Sequence, residues 1–129
     1  MIGVDTNILL RLATRDDATQ VATVTRWLAA NAKAEQLYVN HEVLAEAVWT
    51  LTSVYRADRA RIARFVDALL GNAGFELEES AQVDDALQLY LTGAADFPDC
   101  LIAAKNVRRC AVTITFDKSA AGLPGTTLL

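Results

Sequence analysis

Residues 1–13 read MIGVDTNILLRLA, and the meaning of Asp5-Thr6-Asn7 inside that stretch decides how the rest of the chain is read. Four apolar or small residues lead into three polar ones, and the apolar pattern resumes at once with Ile8-Leu9-Leu10. Burying an unpaired carboxylate is expensive. The expectation is therefore that Asp5 ends a buried strand and that something else compensates its charge. The plainer alternative is that Asp5 or Asn7 caps the helix that follows.

The chain has 129 residues, 53% of them hydrophobic, which fits one domain spanning 1–129. It has no apolar run long enough to cross a bilayer and no basic region leading into an apolar stretch at its start. A cytoplasmic protein without a membrane role is expected. Cys100 and Cys110 match no common zinc spacing and sit beside apolar residues, so both are expected as buried free thiols. His41 is the lone histidine. Any bound metal would then be held mostly by oxygens, which favours Mg²⁺ or Mn²⁺ over zinc. The net charge of −4 argues mildly against nucleic acid, unless the acids gather in one pocket that holds cations.

Along the chain, strand and helix alternate. Strands are expected at 2–5, 37–39, 75–77 and 111–115, with an edge strand in the C-terminal TTLL. Helices are expected at 7–12, from Asp16 or Asp17 to about 32, at 41–55, from Asp58 to about 70, at 80–92, and from Pro98 to about 107. This order implies an α/β fold with a parallel sheet covered on both faces. Ligands of such sheets bind beyond the carboxyl ends of the strands.

Four carboxylates suit that location. Asp5 and Asp117 follow strands. Glu46 lies in VLAEAVWTL and Asp99 in ADFPDCLIAA, each early in a largely apolar helix. Each has a plain alternative: caps for Asp5 and Asp117, a solvated stripe beside Glu42 for Glu46, and a capping box of Asp96 with Asp99. Taken together, four acids at one rim would repel one another unless divalent cations lay between them. Two such ions, holding waters as nucleophiles, suit phosphodiester cleavage.

VDTNILL, VLAEAVWTL, ADFPDCLIAA and TITFDK resemble, in order and spacing, the four acidic motifs of PIN domains, and more narrowly those of VapC-type toxins of bacterial toxin–antitoxin pairs. The resemblance covers essentially the whole chain. It implies a three-layer α/β/α sandwich with a central parallel sheet and Mg²⁺- or Mn²⁺-dependent RNA endonuclease activity with one or two ions. It also implies an RNA substrate, a cognate antitoxin and a homodimer. Carried over, Asp5, Glu46, Asp99 and Asp117 match the acidic quartet, and Asp96 matches a secondary metal position. Thr6, Asn7 and Thr115 match polar residues that orient the carboxylates. Where many relatives carry a small hydroxyl residue before the glutamate helix, this chain has Asn40-His41, and a His near solvent is expected there.

Arg56, Arg59, Arg61 and Arg64 form either a rim that tracks RNA phosphates or a solvated helix face paired with Asp58 and Asp67. Lys105, Arg108 and Arg109 make a second basic group, and Lys118 lies beside Asp117. Trp27 and Trp49 are candidates for dimer or antitoxin contact, or simply core. Three other readings compete. One is an aspartate-nucleophile phosphatase, which wants a second acid where Asn7 stands. The second is a receiver-like phosphoacceptor module, and the third an inactive PIN-like binding domain.

Overall fold

The computed structural model describes all of residues 1–129. In chain order it comprises β1 (Ile2–Gly3), α1 (Thr6–Thr14), α2 (Ala18–Asn31), β2 (Leu37–Val39), α3 (His41–Ser53) and α4 (Arg59–Gly71). There follow β3 (Phe75–Leu77), α5 (Ser80–Thr92), α6 (Phe97–Asn106), β4 (Thr113–Thr115) and β5 (Thr126–Leu128), with a single 3-10 turn at Ala120–Gly122 before β5.

The helices start where short polar side chains meet their free amide groups. Asp17 accepts from Gln20 N at 3.0 Å, Asn40 from Val43 N at 2.8 Å and Asp58 from Arg61 N at 2.8 Å. Each such cap stabilises its helix by about 1 kcal/mol. Asp17, not Asp16, caps α2, since Asp16 pairs with Arg11 and accepts from the Tyr55 hydroxyl.

All strand pairing is parallel, as expected of alternating elements. β2 lies between β1 and β3, with Ile2 opposite Leu37 and Val39 opposite Leu77. β4 and β5 form a separate two-stranded ribbon, Thr113 opposite Thr126. The hydrogen-bonded ladder is thus split in two. β1 is shorter than expected, because the chain leaves it after Gly3 to set up the start of α1. β4 is shorter too, since Ala111 and Val112 stay outside it. Gly125 takes a left-handed conformation (φ 66°) in the turn into β5, and its carbonyl accepts from Thr113 N at 2.7 Å.

One cluster of 25 buried residues joins α1, α3, α4, α5 and α6 to the inward side chains of β2 and β3. Phe97 and Tyr90 meet edge to face within it, ring centroids 5.9 Å apart. No helix is long and apolar enough to cross a membrane. Both cysteines are free, but only Cys100 is buried. Cys110 lies past the end of α6, in the exposed turn leading to β4, which corrects the expectation that both thiols are internal.

Candidate active site

Asp5 is exposed. The expectation of a buried strand carboxylate is corrected: β1 ends before it, and Asp5 is the N-cap of α1, its Oδ1 accepting from Ile8 N at 3.0 Å. Its exposure and the helix N-terminus relieve its charge without burial. The second carboxylate oxygen makes no hydrogen bond within the chain and remains able to bind a ligand.

Glu46 projects from the solvent side of α3, opposite the buried Leu44, Ala47, Val48 and Leu51. It has no ion-pair partner. The helices α1 and α3 run side by side in the same sense. Leu9 and Leu51 line one groove, and farther along Arg11 Nη1 stands 3.4 Å from the Tyr55 hydroxyl. Asp5 precedes Leu9 by four residues and Glu46 precedes Leu51 by five, a little more than one turn each, so they belong to the same end of the helix pair.

The remaining acids gather at the start of α6. Asp96 occupies its N-cap position, yet its side chain caps nothing. The capping box with Asp99 is therefore not formed, and the Asp96 carboxylate stays uncommitted. Asp99, in the first turn, is half-buried. Burial pushes its carboxyl above the usual range, and the nearby charges of Asp117 and then Asp96 add to the effect. Asp117 follows β4 and is fixed by local geometry. Its Oδ1 accepts from Ser119 N at 2.8 Å and from Ala120 N at 3.0 Å, while its own backbone amide donates to Thr115 Oγ1 at 3.0 Å. Thr115 thus holds the backbone of Asp117 rather than its carboxylate. Lys118 and Ser119 line a pocket with Gly93, Ala94 and Ala95, the residues that lead into Asp96.

None of these five carboxylates is in an ion pair. Equally, no three of them close on a common point as a ready-made metal cage. The donor set is all carboxylate oxygen, and Asp99 is pushed upward by burial and then by two like charges. That chemistry fits a hard divalent ion which keeps several waters and takes only one or two carboxylates at a time. It does not fit zinc, since His41 is engaged elsewhere and Cys100 is internal.

Several other expectations change. Arg59 is not free to meet a phosphate. Its guanidinium donates to the carbonyls of Tyr90 (2.7 Å), Ala95 (2.9 Å) and Gly93 (3.1 Å), and stacks over the Tyr90 ring at 3.9 Å. It closes the C-terminal end of α5, where carbonyls lack partners. Nor do Arg56, Arg61 and Arg64 pair with Asp58 or Asp67. Arg61 and Arg64 line an apolar groove of about 560 Å³ with Leu9, Leu12, Leu28 and Phe65. Leu37 and Phe75 place that groove at the amino ends of β2 and β3, whereas Asp5 follows the carboxyl end of β1.

His41 is 4% exposed, not near solvent. Its Nε2 hydrogen-bonds the Glu78 carbonyl at 2.7 Å, and the Glu78 carboxylate accepts from His41 N at 2.7 Å. Both contacts are fixed by β3 emerging next to β2, which a linear reading cannot see. Thr6 is buried and Asn7 exposed, and neither side chain hydrogen-bonds a carboxylate. The roles of the Ser119 and Ala120 amides were missed. The turn chemistry of Asp117-Lys118-Ser119 was the available signal, since an Asp bonds backbone amides two and three residues on.

The acids lie just past the ends of β1 and β4 and at the head of α6, on an alternating α/β frame. The chain belongs to the PIN domain family, whose sequence model matches residues 2–124, and its fold is accordingly the three-layer α/β/α sandwich. Among individual proteins it is similar to a VapC ribonuclease of Aquifex aeolicus (strain VF5), 29% identical over 102 residues, 78% of this chain and 75% of the relative. No solved structure gives a significant match.

Proposed function

We propose that this chain is a single-domain RNA endonuclease that depends on Mg²⁺ or Mn²⁺, works in the cytoplasm, and is the toxin of a toxin–antitoxin pair. The observation that carries the reading is the set of uncompensated carboxylates at the start of α6 and the end of β4, where Asp99 is pushed up by burial and then by the charges of Asp117 and Asp96. Membership of the PIN domain family and similarity to a VapC ribonuclease support it.

In this reading Asp5, Glu46, Asp99 and Asp117 share one metal centre, each ion bound directly by one or two of them and by the others through water, with Asp96 as an additional ligand. A bound ion would supply a water that gives up its proton readily enough to act as the nucleophile on a phosphodiester, and would offset charge on the leaving oxygen. The residues of the chain do the rest. Thr115 and the Ser119 and Ala120 amides keep Asp117 in place. The N-cap bond holds one oxygen of Asp5 and leaves the other outward. Lys118 lies where it can meet a phosphate entering beside Asp117.

The antitoxin is assigned to the groove between α1, α2 and α4. Its walls are apolar and its charged lining residues are Arg61 and Arg64, so the matching segment is apolar with acidic side chains. A second copy of the chain is assigned to the exposed apolar face of β4 and the C-terminus, Val112, Ile114 and Leu129.

The test is incubation of the purified protein with structured RNAs in Mg²⁺ or Mn²⁺, with and without chelator, beside Asp99→Asn. Cutting that requires metal and disappears in the variant is expected. Failure to cut any RNA, or cutting indifferent to chelator, would overturn the reading in favour of an inactive binding domain.

A further inference from the structure

Twelve large apolar side chains are exposed on the surface of this chain, and Trp49 is set apart from the others by its surroundings. Its side chain is 63% exposed on α3, one turn beyond Glu46 and on the same exposed side. A narrow cleft of about 120 Å³ runs beside it, lined by Trp49, Thr52, Arg59, Asp96, Phe97 and Pro98 among others. Trp49 and Pro98 give the cleft apolar walls. Thr52 gives it a hydroxyl that donates to Val48 O at 2.9 Å and keeps its oxygen free to accept. Asp96 ties it to the carboxylates at the start of α6.

Core packing does not account for a tryptophan in this position, because more than half of it faces water. A protein interface is a poor match as well. The cores of such interfaces favour Trp and Arg but are depleted of Asp, Glu and Ser, and Trp49 neighbours Glu46 and Ser53 on α3 and shares its cleft with Asp96. Phe116, which is also exposed and beside an acid, differs in this respect, since it continues an apolar strand face through Ile114 and Val112. What suits Trp49 is a ligand with a flat apolar face and polar edges. An unstacked nucleobase has that form, and bases stack on aromatic side chains with little dependence on sequence.

We propose that Trp49 is the stacking platform for one base of the RNA next to the cut, with Pro98 and Thr52 completing its pocket. The assignment rests on the nuclease reading above and deepens it. It makes Trp49 a specificity residue whose loss weakens productive binding while the carboxylates remain intact.

The experiment compares wild-type protein with Trp49→Ala and Trp49→Phe on one short unstructured oligoribonucleotide and on a pool randomised around the cut. It reads kcat/KM, the base preference at positions flanking the cut, the melting temperature and the oligomeric state. Alanine is expected to lower kcat/KM by roughly 5- to 150-fold, the scale of one base–aromatic stack, and to flatten the preference at one flanking position. Phenylalanine, which keeps a ring, is expected to restore much of both. Melting temperature and oligomeric state should not change. In chelator with a Trp27→Phe background, the same oligoribonucleotide should quench Trp49 fluorescence. If Trp49→Ala cuts with wild-type kcat/KM and unchanged preference, or if it dissociates the protein, the assignment is wrong and the nuclease reading stands. If wild-type protein cuts nothing, the nuclease reading fails and this inference with it.

Discussion

Asp117 stands close enough to Asp99 for its charge to add to the burial that raises the proton affinity of the Asp99 carboxyl, although Asp99 opens α6 and Asp117 lies beyond β4. That relationship ties two distant segments into one site. It also stores repulsion, because Asp96 adds a third like charge and no cationic side chain pairs with any of the three.

The sign of that repulsion sets the first expected result. The native Asp99 carboxyl binds its proton more tightly than in the unfolded chain, chiefly through burial and then through Asp117 and Asp96. In chelator, stability should therefore fall as pH rises from the ordinary Asp value of 3.8 through the raised native one. Asp99→Asn removes the effect. At pH 7 it should melt about 1–3 °C above wild type, a small gain because Asp99 is partly solvated. Well below pH 3.8 the two should melt together. Thermal melts across pH check this.

Arg59 and its neighbours should separate cleanly. Arg59→Ala leaves carbonyls at the end of α5 without a donor and removes the stack on Tyr90. It should lose about 1–3 kcal/mol of stability in denaturant melts. Arg61→Glu with Arg64→Glu should cost little stability. The double change should instead weaken a co-purified antitoxin by at least tenfold in a binding titration, if the groove is its seat.

The two thiols should differ in reactivity. Burial pushes the Cys100 thiol up to about 11, and thiolate is the reactive form. At pH 8 the native protein should take up one equivalent of an alkylating reagent, at Cys110, and a second only in denaturant. Mass spectrometry of the labelled peptides reads this directly.

His41 joins the start of α3 to the end of β3. His41→Ala removes a buried hydrogen bond to the Glu78 carbonyl and should cost about 1–3 kcal/mol in a denaturant melt. Because the ring serves the fold, kcat/KM of the folded fraction should stay within about threefold of wild type.

Much of the frame was legible in the chain. The strands at 37–39 and 75–77 and the helix at 80–92 begin and end where apolar periodicity and glycines place them, and Asp17 and Asp58 cap as their positions suggest. These are local effects. Asp5 was legible as an important residue but misread as buried, because a strand and the turn after it look alike when both are flanked by apolar residues. Arg59 and His41 were misread for a different reason. Their partners, the carbonyls at the end of α5 and Glu78 after β3, come from remote segments, and nothing in their own neighbourhoods specifies those contacts. Trp49 shows the same limit from the other side, since helical spacing cannot say that its face has no partner.

The claim that Asp5, Glu46, Asp99 and Asp117 act on one metal centre is tested most directly by Mn²⁺ binding, followed by electron paramagnetic resonance. Titrations of wild-type protein should be set beside Asp5→Asn, Glu46→Gln, Asp99→Asn and Asp117→Asn. The account expects saturable binding to wild type and a loss of affinity of roughly tenfold or more in every variant. Undiminished binding in Asp5→Asn or Glu46→Gln would contradict it, and would leave the acids at the head of α6 and the end of β4 as a separate feature.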